Sequence, residues 1–360
     1  MTLPAIALLG RKDEPTDAVE EYCRYLGEAL QCHDIRLEIS RVPWEIRGWS
    51  EALRGLRLQA TNWRGTWVLV QYTALAWSAR GFPQKFLRAL KILKAAGARV
   101  AIVFHDVEPY GATRIIDSFR RSVQVRIMRR ALSLAKLSVF TVPPEKVSWC
   151  PQPHSSAVFI PVGPNLPISS ELPVRAAHHV IPTVGVFSIT GGQKGARETE
   201  VVVRSVRHAG QKLGPLRLSV FGRHAELREQ DLRNGLRDLP VEVSVEGVVG
   251  PEQVVERLGA CDVLLFVRGA ISSRRSSAIA GIACGVPVIA YAGSETAAPI
   301  TEAGVVLVDP LVPDEVPNAL IRVLSDSDLR VSLCQRNAAV YNEYLSWPAI
   351  ASRFAALLPR

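Results

Sequence analysis

Two short stretches carry residue types suited to phosphate chemistry. ISSRRSSAIAGIACGVPVIA, Ile271–Ala290, sets Arg274 and Arg275 at the start of a short helical run that Gly285 ends. Positive charge is unfavourable at that end of a helix unless an anion neutralises it. Ser272, Ser273, Ser276 and Ser277 suit the capping of orphan amides, and arginine forks grip phosphate oxygens in pairs. The expectation is a phosphate or diphosphate site. TGGQKG, Thr190–Gly195, follows the strand-like run TVGVFSI and opens a helical pattern. Its glycines allow a ligand close to the backbone at Thr190, Gly191 and Gly192, and Lys194 adds a charge to the free N–H groups of the helix start. The spacing is not G-x-x-x-x-G-K-[ST], and no G-x-G-x-x-G follows a strand, which argues against a P-loop enzyme and a dinucleotide dehydrogenase.

These stretches need a scaffold of alternating strands and helices. PAIALLG, TWVLVQY, ARVAIVFHD, LSVFTV and AVFIPVG read as strands in the first half. TVGVFSI, LRLSVFG, VEVSVEG, CDVLLFV, GVPVIAY and GVVLVD do so in the second. Helical periodicity lies between them, so parallel sheets covered on both faces are expected. At 360 residues the chain exceeds one ordinary core. The proline-rich, aperiodic segment Gly163–His179 is the expected linker. Residues 1–170 and 171–342 are the expected domains, with 343–360 a terminal helix packing back toward the first.

Six scattered cysteines form no C-x-x-C pair and read as buried free thiols in a reducing, cytoplasmic setting. The apolar run Trp67–Ala79 is too short to span a bilayer as a helix. A net charge of +9 favours anionic partners. Two helical stretches concentrate that charge. One carries Lys85, Arg88, Lys91 and Lys94. The other surrounds the apolar stripe Ile116, Phe119, Val123, Ile127, Ala131 and Leu134 with arginines. They read either as solvated faces over an ordinary core or as a membrane-surface or acidic-acceptor face. The second reading predicts peripheral attachment to an anionic membrane on its inner face. Nucleic acid is not expected, because no helix-turn-helix, zinc or RNA-recognition signature accompanies the charge.

Taken together, Gly247–Tyr291, with its terminal A-C-G-V-P-V-I-A, and the TGGQKG loop resemble the donor-binding half of family 4 glycosyltransferases. The resemblance covers about the last 180 residues well. It implies the GT-B fold, two doubly wound Rossmann-like domains with parallel sheets facing across a cleft, and a retaining, metal-independent transferase without a cofactor. The donor would be a UDP- or GDP-linked sugar and the acceptor a glycan or lipid-linked glycan, in cell-surface polysaccharide synthesis. Lys194 falls where the family places a lysine on the donor diphosphate. Gly247 and Val248 fall in the loop that holds the nucleobase, and His105 matches a histidine near the reacting sugar. Lys194, Arg274, Arg275 and His105 are the expected catalytic set.

Acceptor contacts are expected from Thr16 in the loop GRKDEPTDA, and from Gln71, Tyr72, Trp77, Arg80, Asp106 and Glu108. The sequence departs from the family at two glutamates eight positions apart, replaced here by Ser272 and Ala280. The arginine before the lysine is also missing, at Ser188 and Ile189. Arg274 and Arg275 are expected to replace that lost charge. The competing reading is a non-catalytic, nucleotide-sugar-binding or scaffold subunit; a nucleotide-sugar epimerase of the same fold is a third.

Overall fold

The computed structural model describes residues 2–14, 16–109, 115–152, 155–168 and 181–359. The chain divides into two compact units, Met1–Val162 with Trp347–Arg360, and Gly163–Ser346. Most of the expected linker lies outside the described residues.

In the first unit, β1 (Leu3–Leu9), β2 (Ile35–Arg41), β3 (Trp67–Tyr72), β4 (Arg99–Phe104), β5 (Leu137–Phe140) and β6 (Ala157–Phe159) form one sheet in the order β2-β1-β3-β4-β5-β6. Every pairing is parallel. The inner strands are buried on both faces, which their unbroken apolar runs require. By contrast, β2 lies at the edge: only Ile35 is buried, and Arg36, Glu38 and Ile39 are exposed. IRLEISR is therefore too polar to resemble the other strands, and the sequence expectation misses it.

The helix Trp347–Leu357 belongs to this unit. Trp347 stacks on Tyr25 at 5.6 Å and meets Tyr22 edge-on at 5.3 Å. Phe354 is wholly buried, and Trp67 Nε1 donates to the Pro359 carbonyl.

The second unit forms a sheet from β7 (Thr183–Phe187), β8 (Leu216–Phe221), β9 (Val241–Glu246), β10 (Val263–Ala270), β11 (Val288–Tyr291) and β12 (Val305–Val308), ordered β12-β11-β10-β7-β8-β9. Counted within this unit, that is the dinucleotide-fold order, 3-2-1-4-5-6 read from the β9 edge. Its winding reverses between β7 and β10. In the first sheet the reversal falls between β1 and β3. Ligands of open parallel sheets bind outside the carboxyl ends of the strands at such reversals.

One helix expectation is corrected. In Ile115–Leu132, Ile127, Met128, Ala131 and Leu132 are buried, but Ile116 and Phe119 are 50% and 60% exposed. The first half of the expected stripe is therefore not core. All six cysteines are free thiols, and no described helix is long and apolar enough to cross a membrane.

Candidate functional site

In the first unit, a cavity of about 240 Å³ opens at the β1–β3 reversal, lined among others by Asp13, Asp17, Gln71, Thr73 and Asp106. Its wall is fixed by backbone packing. A Cβ on Gly10 would lie 2.1 Å from the Ala76 carbonyl oxygen, so only glycine fits. Asp17 caps the helix Ala18–Leu30 by accepting from Val19 and Glu20 N–H. Arg41 clamps Asp17 and Glu20 at 3.1 and 2.7 Å while donating to the Gly10 carbonyl. Asp17 and Arg41 were not among the residues expected from the sequence, although Asp17 followed three residues later by Glu20 has the spacing of a capping box.

Gln71 holds His105 in one tautomer. The Gln71 amide nitrogen donates to the Leu69 carbonyl, which turns its oxygen toward His105 Nε2 at 2.8 Å. Nε2 therefore carries the proton and Nδ1 is left as the acceptor. Burial lowers the His105 pKa to about 4, against a small upward pull from Asp17, so the ring is neutral near pH 7.

Asp106 accepts from Ala74 N–H and braces the cavity wall, while Glu108 is held by the Ser148 amide and hydroxyl. Thr16 is half-buried in the same loop as Asp17. Tyr72 and Trp77 are core side chains, 1% and 0% exposed, and cannot stack on a sugar. Arg80 is exposed, and its carbonyl accepts from Arg120; it is not among the residues lining the cavity.

In the second unit, TGGQKG bridges β7 and the helix Gly192–Leu213. A Cβ on Gly195 would lie 1.8 Å from the Thr190 carbonyl oxygen, and Gly192 has φ +67°. Among the described residues no side chain caps the first turn of the helix, and Lys194 is exposed beside it. Glu198 accepts from Thr190 N–H at 2.8 Å and holds the loop. Beyond β9, Gly247 accepts from Gly222 N–H, and Val248 is 54% exposed.

The arginine–serine stretch differs from expectation. Its helix is Ser276–Ala283, so Arg274 and Arg275 precede the first turn, and no serine side chain caps it. Ser272 and Ser273 are buried, while Ser276 and Ser277 are half-buried. The anion that Arg274 required is Glu295, in the loop after β11. Arg274 Nε and Nη2 grip its two oxygens at 2.7 and 2.8 Å, and the Ser272 hydroxyl donates to it at 3.1 Å. Burial works to raise the Glu295 pKa, but Arg274, Ser272 and Arg275 outweigh it and hold it below the ordinary carboxylate value. The only sequence signal for this pair was the unbalanced charge itself.

The chain has the GT-B fold. HepE of Anabaena, solved with UDP and glucose, is 15% identical with a TM-score of 0.65 over 99% of each chain. Sucrose-phosphate synthase from Thermosynechococcus elongatus is 18% identical with a TM-score of 0.70, over 99% of this chain and 98% of that one. A glycosyltransferase from Rickettsia africae is 12% identical with a TM-score of 0.66 over 99% and 98%. No protein-family model and no curated sequence matches the chain.

Two outcomes follow. Arg274→Met strands a carboxylate that is 12% exposed and should cost about 3 kcal/mol in urea denaturation. Arg274→Met combined with Glu295→Gln should cost clearly less than the two single changes added together. For His105, the unfolded chain binds a proton below its ordinary value of 6.5, whereas the folded one does so only near 4. Its contribution is therefore complete above about 6.5 and fades as the pH falls from there toward 4. His105→Gln should flatten the stability profile across that window.

Proposed function

We propose that the protein is a glycosyltransferase. It moves a sugar from a UDP- or GDP-linked donor to a hydroxyl of a glycan or lipid-linked glycan, in polysaccharide synthesis on the cytoplasmic side. The observation that carries this reading is the β7–β10 reversal, where a glycine-built loop opens onto an uncapped helix start with Lys194 exposed beside it. The fold shared with HepE, whose structure contains UDP and glucose, supports the same donor class.

Negative charge develops on the departing diphosphate, so fixed amides and cations there lower the barrier most directly. The backbone at Thr190, Gly191 and Gly192 supplies the amides and Lys194 the charge. Because these groups are part of the chain, the reading requires no metal ion. The acidic cavity of the first unit suits a hydroxylated acceptor. A neutral His105 with Nδ1 as acceptor suits a hydroxyl better than a phosphate. In a retaining reaction the acceptor attacks on the face the diphosphate leaves, and a phosphate oxygen takes the proton.

Turnover of a panel of nucleotide sugars, with and without acceptor extracts, tests this. Lys194→Ala should lower the rate about 100-fold; no turnover with any donor overturns the reading. A binding or scaffold subunit is the second reading, favoured by the neutralisation of Arg274 within the chain. UDP or GDP binding without transfer would select it.

The first unit also supports membrane attachment. A surface groove of about 780 Å³ is lined by Arg54, Arg57, Arg88 and Lys91 over Leu53 and Ile92. Among the described residues, none of these four cations is ion-paired, and the nearby Leu58 is 69% exposed. The protein should sediment with phosphatidylglycerol vesicles at low salt and not with phosphatidylcholine alone, and Arg54→Glu with Arg88→Glu should abolish this. Failure to sediment with the anionic vesicles ends the membrane proposal.

A further inference from the structure

Arg268 interrupts the apolar run of β10, three residues before Ile271. It stands on a register break: Phe266 pairs with Ala290 and Ala270 with Tyr291, so three residues of β10 have no counterpart on β11. Gly269 follows with φ +110°, a conformation costly for any other residue. Such bulges re-aim side chains, often beside functional sites.

The break occurs at the carboxyl end of β10, on one side of the winding reversal. On the other side, β7 ends in the TGGQKG loop, and beyond it lies Arg223 after β8. Ser188 Oγ accepts from Arg223 N–H, and the Arg223 carbonyl accepts from Ile189 N–H, which ties that backbone to the loop.

The Arg268 guanidinium is mostly buried, and among the described residues its Nε has no hydrogen-bond partner. Burial lowers its proton affinity and Arg223 lowers it further, while Glu198, the residue bound to Thr190 N–H, pulls the other way. Among the described residues Glu198 Oε1 is also buried without a hydrogen-bond partner, so the two side chains do not satisfy each other. A buried cation with an unused donor, beside a second cation, is destabilising unless something anionic completes it.

We infer that Arg268 is a diphosphate-binding residue, which donates to the pyrophosphate oxygens of a nucleoside diphosphate held at the TGGQKG loop. It thereby takes the part that the sequence suggested for Arg274. The inference rests on the glycosyltransferase reading and names the group that meets its leaving diphosphate. A phosphate anion is the shared chemistry of several ligands, so the probes separate a nucleotide from a free inorganic anion.

Calorimetry on the full chain with UDP, GDP, uridine, guanosine and inorganic pyrophosphate tests the assignment, alongside thermal melting without ligand. Arg268→Met should weaken the preferred nucleoside diphosphate roughly 10- to 150-fold, the cost of a hydrogen bond to a charged group. Its effect on the matching nucleoside should be under twofold, and Arg268→Lys should recover part of the loss. Melting of unliganded Arg268→Met should be unchanged or higher, because an uncompensated buried charge is removed; a structural arginine would give the opposite. Unchanged diphosphate affinity, or a lowered melting temperature with equal losses for nucleoside and diphosphate, overturns the role of Arg268 and leaves the glycosyltransferase reading standing. Pyrophosphate binding that depends on Arg268, without nucleotide binding, keeps the anion site and overturns the donor reading. If the wild type binds none of the probes, both fall.

Discussion

A parallel sheet whose chain winds first to one side and then to the other must part its connecting loops where the direction changes. Both candidate ligand sites depend on that constraint. In the first sheet the gap is bounded by Gly10 after β1 and by Gln71 and Thr73 at β3. In the second it is bounded by the TGGQKG loop after β7 and Arg268 on β10. Both gaps are narrowed by glycines that allow no side chain, Gly10 against Ala76 and Gly195 against Thr190. Topology thus selects the location, and close backbone packing sets its dimensions.

Charge is managed differently in the two gaps. Around the first, Arg41 is shared between Asp17 and Glu20, and a histidine is kept neutral by burial. That environment is acidic and rich in hydrogen-bond acceptors. Around the second, one arginine is neutralised by a dedicated carboxylate, Arg274 by Glu295, while Arg268 retains a donor unused among the described residues. Arginine count alone would misjudge which of them can meet an anion. A paired guanidinium has spent its fork, whereas one with an idle nitrogen has not.

Most of the architecture was legible in the sequence because buried parallel strands must be apolar runs bounded by turns, and ten such runs stand out, with VEVSVEG marked by its regular alternation of valine and polar residues. The edge strand β2 was not, since half of it faces solvent and its composition resembles a loop. TGGQKG was legible as a strand-to-helix turn, since glycine has few other uses there. The partner of Arg274 was not, because Glu295 is 21 positions away, and only the adjacency of β10 and β11 brings the two together. Arg268 carried a signal, a charge inside an apolar strand, but its meaning needed the register break and the absence of a partner for Nε. Tyr72 and Trp77 show the reverse error: aromatic residues near a strand end suggest sugar stacking until burial assigns them to the core.

The helix Trp347–Leu357 follows the second unit in the chain yet completes the core of the first, through Trp347 on Tyr25 and Phe354 inside. During synthesis the first unit therefore emerges unfinished and waits for the second to be translated before Phe354 reaches its place. The hydroxyl-bearing Tyr22, which touches both His105 and Trp347, gains the second of these contacts only when that last helix arrives. The two units are thus stitched in time as well as in sequence, and the earliest part of the protein to be made is the last to be finished.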